Sequence, residues 1–302
     1  MTGAVRAIFR LLRAEQWVKN AFVFGGVLFT GRLRDPASLL GACATFAAFS
    51  AVASAGYIDN DVADREADRL HPVKRRRPLA ARAVGVGTAR LVQVLLLAGG
   101  VALGWRVDPR VGALVAGYSV LGVLYSRWLK HVVVLDVIVI AVGFVLRVIA
   151  GCAAIDVAPS RWIALCTFML ALFLGLGKRR HEVLLLGDRI ATHRPALAQY
   201  GLPLLDQLIA MVGALTAMCY IMFTMWPETI ARHGTTDLVY TVPIVMYGLF
   251  RYAFLVYRAD GGGDPTATLL LDRQLMVVAV VWGVSAALLV GAQHTGEPWI
   301  AG

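Results

Sequence analysis

The residues best suited to chemistry in this sequence stand together just after an apolar run: Asn60, Asp61, Asp64 and Asp68, followed by Lys74, Arg75, Arg76 and Arg77. Asn60, Asp64 and Asp68 recur every four residues. A helix continuing through them sets their oxygens in one stripe, with Asp61 between. A donor set made only of oxygens suits Mg²⁺, which in such sites also holds phosphates. The bases alone are explained by a loop on the inner side of a membrane, whereas a row of acids on a helix leaving the bilayer is not. Asn60, Asp61, Asp64 and Asp68 are therefore the candidate metal ligands. Arg75, Arg76 and Arg77 are assigned to the surface and to lipid headgroups. Lys74, nearer the stripe, is a candidate phosphate ligand.

Three more polar clusters interrupt the apolar sequence. One ends the sixth apolar run, Lys178-Arg-Arg-His-Glu182, followed by Asp188, Arg189, Arg194 and Tyr200. Within it Lys178 and Glu182 share a helical face. Another contains Tyr125, Arg127, Lys130 and His131, and the last contains Gln16, Trp17, Lys19 and Asn20. Four helix ends on one face can surround a single pocket for a divalent cation and several anionic groups. Arg147 and Asp156 are placed toward the opposite face and left structural.

The elements that position these clusters are membrane helices. The chain has 302 residues, 59% of them apolar, with a mean hydropathy of +0.70. Apolar runs fall near 20–33, 37–58, 88–105, 110–126, 132–150, 160–177, 204–225, 237–257 and 274–292. This predicts an all-α polytopic bundle of about nine transmembrane helices in one domain over residues 1–302. The first and fourth runs are short for a crossing. Residues 1–19 are too basic and too weakly apolar for a cleavable signal and read as an interfacial amphipathic segment.

With the N-terminus inside, only Arg32, Arg34, Arg106, Arg110, Arg147, Arg161 and Arg232, seven of the 29 bases, fall away from the cytoplasmic side. Basic loops stay cytoplasmic, which places all four polar clusters there. The net charge of +10 is thus partly topological, and no nucleic-acid partner is expected. Cys43, Cys152, Cys166 and Cys219 are scattered through apolar runs without a metal or redox spacing. Asp260-Gly-Gly-Gly-Asp-Pro265 lacks the Lys-Ser/Thr ending of a phosphate loop and reads as a turn between helices.

Asn60-Asp-x-x-Asp-x-x-x-Asp68, at the end of the second span and followed by His71-Pro-x-Lys74 and Arg77-Pro78, resembles the first aspartate-rich motif of the UbiA-type intramembrane prenyltransferase superfamily. The resemblance covers nearly the whole chain. It implies a bundle of about nine helices with a cytoplasmic active site. Ordinary members carry a second acidic motif that binds another Mg²⁺, but here the corresponding region is Lys178-Arg-Arg-His-Glu182. Exchanging acids for bases removes metal ligands and supplies direct phosphate donors.

Together with Gln16-Trp-Val-Lys-Asn20, Leu129-Lys-His131 and Arg147-x-Ile-Ala-Gly151, that departure resembles the branch that joins phosphoribosyl diphosphate to decaprenyl (polyprenyl) phosphate for cell-wall arabinan synthesis. The resemblance implies catalysis at Asn60, Asp64 and Asp68, and Mg²⁺ as cofactor. It also implies substrate contacts from Lys19, Tyr57, Lys74, Lys130, His131, Lys178, Arg179 and Glu182. The polyprenyl tail is expected in a groove open to membrane lipid, and a homo-oligomer is compatible with all of this. Val132–Asp136 mimics only the opening of a soluble phosphoribosyltransferase strand and reads as membrane helix. Two other readings are a prenyl diphosphate transferase with a small or aromatic acceptor, and a transporter or scaffold. The former requires a second acidic pair; the latter gives no reason for the acid stripe.

Overall fold

The structure is a computed structural model describing residues 3–70, 74–186, 197, 199–258 and 265–293, which form helices and turns with no strand among them. The helices are α1 (Gly3–Leu12), α2 (Gly25–Phe29), α3 (Pro36–Ala63), α4 (Arg65–Leu70), α5 (Val86–Val107), α6 (Pro109–Arg127), α7 (Leu135–Ala153) and α8 (Arg161–Leu186). They continue as α9 (Leu202–Met225), α10 (Pro227–His233), α11 (Val242–Tyr257), α12 (Pro265–Leu271) and α13 (Arg273–Gln293).

Among the described residues, seven stretches are long and apolar enough to cross a bilayer: α3, α5, α7, α8, α9, Asp237–Tyr257 with α11 inside it, and α13. The two missing from the expected nine are the runs marked as short. α6 spans 19 residues and turns straight back along α5 at Asp108. The first run is wound differently, as a 3-10 helix over Ala14–Phe24 leading into the five-residue α2. A 3-10 run longer than about four residues is uncommon and requires outside support. α7 supplies it by close approach, since a Cβ on Gly151 would lie 1.9 Å from the Val23 carbonyl oxygen. Only glycine allows that contact.

Helix starts follow local chemistry. Asp35 precedes Pro36 and accepts from the backbone N–H groups of Ala37 and Ser38, each at 3.2 Å, while Asp108 precedes Pro109 and accepts from Arg110 N–H at 2.7 Å. A carboxylate cap followed by proline meets helix-start requirements, because proline has no N–H to orphan. One apolar core joins α7, α8, α9 and α11 around Phe173, Leu205 and Tyr252. A second joins α3, α6 and α7 around Phe49, Val115 and Ala150. Leu91, Val94 and Leu95 on α5 and Val280, Val284 and Leu288 on α13 are exposed, as lipid-facing side chains should be.

The bundle sorts its charges to its two ends. At one end Arg32 donates to the Ile155 carbonyl, Arg110 to Asp156 and Arg232 to the Ala158 carbonyl. The ends of α3, α6 and α8 and the starts of α5, α7, α9 and α13 meet at the other, which carries the polar clusters. Arg147 belongs to neither end, contrary to its expected place toward the opposite face. It is buried within α7, donating to Asn20 Oδ1 (2.7 Å), the Gly143 carbonyl (2.8 Å) and Tyr118 Oη (2.7 Å), with its guanidinium 4.5 Å from the Tyr118 ring centroid. These contacts replace the water that an intramembrane charge loses.

Candidate active site

α3 ends at Ala63. Asp64, at φ −89° and ψ 4°, leaves the helical conformation before α4 resumes at Arg65. Backbone rungs persist from Asp64 N–H to the Asn60 carbonyl (2.9 Å) and from Asp68 N–H to the Asp64 carbonyl (2.8 Å). The expected set is nevertheless divided between different surroundings. Asp61 and Asp68 are buried at 2% and 3% exposure, Asn60 is half-buried and Asp64 is exposed.

Arginines hold the two buried acids. Arg13 Nη2 lies 2.5 Å from Asp61 Oδ1, and Arg77 Nη1 lies 3.1 Å from Asp61 Oδ1 and 2.7 Å from Asp68 Oδ2. Arg77, assigned to the surface from sequence, is thus the bridge between two motif acids. Two arginines against two carboxylates neutralise the cluster, which burial demands. Arg13 also lies 5.1 Å from the Tyr57 ring centroid. Asp59, which the spacing argument passed over, accepts from Arg90 (2.6 Å) and Gln93 (3.2 Å) on α5. Asn60 and Asp64 have no side-chain partner among the described residues.

Nor is there a group of three or more His, Cys, Asp or Glu side chains gathered as a metal site among those residues. Mg²⁺ does not require one, since it keeps several waters and is bound through one or two carboxylates together with substrate phosphates. The free oxygens of Asn60 and Asp64, one helical turn apart, fit that mode.

Lys19 is half-buried on the 3-10 helix, which side-chain bonds tie to α3: Trp17 Nε1 to Ser54 Oγ and Asn20 Nδ2 to Ser50 Oγ, both 3.0 Å. Lys74 is exposed on the turn Lys74–Arg76. His71 and Pro72 of the motif lie outside the described residues, as do Asp188, Arg189, Arg194 and Asp260–Asp264.

The second network centres on Arg179, which is 2% exposed. Its Nε donates to Asp136 Oδ2 at 2.7 Å, its Nη1 to Glu182 Oε2 at 2.5 Å and its Nη2 to Tyr125 Oη at 3.2 Å. Every nitrogen of the guanidinium faces a protein acceptor. Glu182 pairs three residues back with Arg179 rather than four back with Lys178, because the buried charge is the one that must be neutralised. Lys178 is half-buried, without a partner among the described residues. The same holds for Lys130 on the turn Leu129–His131, where His131 is exposed.

Two residues that sequence reasoning did not assign complete this network. Asp136 is 2% exposed at the start of α7, and Tyr200 donates to its Oδ1 at 2.8 Å. Burial first, and then the Asp136 carboxylate, push the Tyr200 phenol well above its ordinary range, so it is protonated at physiological pH. The signal that could have found Asp136 is a lone acid in the apolar run from Val132 to Val142, since such a charge requires a buried partner.

Comparison with known proteins follows the same lines. The sequence pattern of the UbiA prenyltransferase family matches residues 20–276. The chain is similar to the decaprenyl-phosphate phosphoribosyltransferase of Corynebacterium glutamicum, with 33% identity over 91% of this chain and 84% of that protein. Against the Mycobacterium tuberculosis protein of the same name, identity is 32% over 95% of this chain and 96% of that one. Among solved structures, a UbiA homolog from Archaeoglobus fulgidus bound to GPP and Mg²⁺ superimposes with a TM-score of 0.72, covering 95% of this chain and 99% of that one at 20% identity.

Proposed function

The chain belongs to the UbiA prenyltransferase family, and from that premise we propose that it transfers the 5-phosphoribosyl group of phosphoribosyl diphosphate to decaprenyl (polyprenyl) phosphate. The products are decaprenylphosphoryl 5-phosphoribose and diphosphate, the former serving cell-wall arabinan synthesis. One observation carries the choice within the family. Glu182, the sole acid of the 178–182 cluster, is spent on Arg179, while Lys178 beside it has no partner among the described residues. That chemistry suits phosphate and leaves no acid within the 178–182 cluster for a metal. The 32–33% identity to proteins named for this reaction supports the same reading.

Bound Mg²⁺ would neutralise charge on the departing diphosphate. Asn60 and Asp64 would hold it first. Asp68, paired with Arg77 at 2.7 Å, would be a further ligand for it. Lys19, Tyr57 and Lys74 complete the donor pocket, while Lys130 and Lys178 donate to phosphate oxygens, with His131 near the first of them.

At the anomeric carbon the bond to diphosphate breaks and a bond to an acceptor phosphate oxygen forms, through an oxocarbenium-like transition state. Cations fixed around the leaving oxygens stabilise the charge that builds there. The acceptor is a phosphate monoester with a second pKa of about 6, hence largely a dianion at neutral pH. It requires no general base. The basic end of the bundle is the cytoplasmic face in this proposal, which gives a water-soluble donor direct access.

Purified protein offered labelled phosphoribosyl diphosphate with decaprenyl phosphate, and in a parallel arm a labelled prenyl diphosphate with aromatic acceptors, separates the two transferase readings. Label should enter product only from phosphoribosyl diphosphate. Turnover confined to the prenyl diphosphate arm would overturn the proposal.

A further inference from the structure

Val134 adopts φ 68° and ψ −44°. This is a costly conformation for a β-branched residue, close to the strained γ-turn region and natural only to glycine. It joins the turn bearing Lys130 and His131 to the first residue of α7. Strain of this kind persists only where the surroundings over-determine it.

As the cap of α7, Val134 accepts at its carbonyl from the Val137 (3.2 Å) and Ile138 (3.1 Å) N–H groups, and its own N–H is held by one side chain. The Val134 backbone N–H donates to Tyr200 Oη at 2.6 Å, and the same hydroxyl donates to Asp136 Oδ1 at 2.8 Å. The other Asp136 oxygen takes Arg179 Nε at 2.7 Å. Tyr200, Asp136 and Arg179 are each 2% exposed, so water cannot replace a partner lost among them, while Val134 itself is 41% exposed. The chain of bonds runs from Arg179, next to Lys178 on α8, through Asp136 and the phenol to the backbone of the turn that carries Lys130. Tyr200 itself stands just before α9, so its oxygen ties that segment directly to Val134 and Asp136 and, through Asp136, to Arg179 on α8.

We propose that Tyr200 is a positioning residue: its buried hydroxyl holds Val134 in the left-handed conformation and thereby fixes the Lys130–His131 turn for a phosphate group. The phosphate rests on the function proposed above, whereas the hold on the turn does not. Tyr200 touches no reacting atom. Its loss should therefore act on phosphate affinity through the turn.

Two substitutions test this. Tyr200→Phe removes only the oxygen; Val134→Gly removes the backbone cost the oxygen opposes. Hydrogen exchange followed by mass spectrometry on peptides covering residues 128–137 of the full protein in nanodiscs reads the turn directly, and KM and kcat for phosphoribosyl diphosphate read its consequence. In Tyr200→Phe, exchange at the Val134 amide should quicken by about tenfold, corresponding to loss of one part-buried hydrogen bond. KM should rise by a similar factor while kcat changes little. In the Val134→Gly background the KM effect of Tyr200→Phe should shrink to roughly twofold or less, because the two positions are coupled. Unchanged exchange and KM in Tyr200→Phe would overturn the proposal, as would an equal KM penalty in both backgrounds, which marks a general loss of stability. Wild-type protein that transfers no phosphoribosyl group would defeat the functional reading alone. The exchange experiment would still decide whether Tyr200 holds the turn.

Discussion

Asp136→Ala removes the carboxylate that Arg179 and Tyr200 share. Arg179 then keeps Glu182 on Nη1 at 2.5 Å and Tyr125 on Nη2 at 3.2 Å, but its Nε and the Tyr200 hydroxyl lose their acceptor in a site where both side chains are 2% exposed. Breaking a buried ion pair by deleting one partner costs about 3–5 kcal/mol. The surviving Glu182 contact sets the expectation at the lower end, about 3 kcal/mol. Removing both charges together should be far milder, because an apolar pair leaves no orphaned guanidinium. Asp136→Leu with Arg179→Met is therefore expected within about 1.5 kcal/mol of wild type. Reversible unfolding in mixed micelles measures both. An Asp136→Ala variant within about 0.5 kcal/mol of wild type would refute the argument, because that is the range of ordinary surface substitutions. A double variant as unstable as the single one would refute it too.

Three other outcomes follow from the same geometry. Asp64→Ala should abolish Mg²⁺-dependent turnover without shifting the unfolding midpoint, since Asp64 is exposed and has no described side-chain partner; wild-type turnover would remove its metal role. Lys178→Ala should raise the donor KM about tenfold, one charge-assisted contact's worth, and unchanged steady-state constants would mark it as a surface lysine. Arg251, first, and the Leu275 N–H hold the Asp272 carboxyl below the usual carboxylate range, tying α11 to α13. The folded pKa lies below the unfolded value of about 3.9, so this contribution is full above that pH and is lost as pH falls through the folded value. Asp272→Asn should flatten the acid limb of a stability–pH curve, and an unchanged limb would discount the pair.

The spans were legible because lipid tolerates apolar side chains all round a helix, so a run such as Leu202–Met225 identifies itself by length and composition. The stretch from Ala14 to Phe29 was not, since its 3-10 winding depends on the close approach of Gly151 to Val23 from a distant helix. In the site, the acids showed themselves by spacing, but their partners did not. Arg13 lies 48 residues from Asp61, and Arg179 lies 43 residues from Asp136. No local periodicity encodes such pairs. What the sequence does contain is the demand for them, in the form of charges placed where the bilayer excludes water. Arg77 shows the limit of composition: within a run of three arginines, only the fold distinguishes the one that bridges Asp61 and Asp68.

The most direct test of the proposed activity is the transfer of label from phosphoribosyl diphosphate into an organic extract by purified protein supplied with decaprenyl phosphate and Mg²⁺. Label should appear in the lipid phase, disappear when the divalent cation is chelated, and return when Mg²⁺ is restored. Protein that is folded, supplied with both substrates and Mg²⁺, and still leaves all label in the aqueous phase would contradict it.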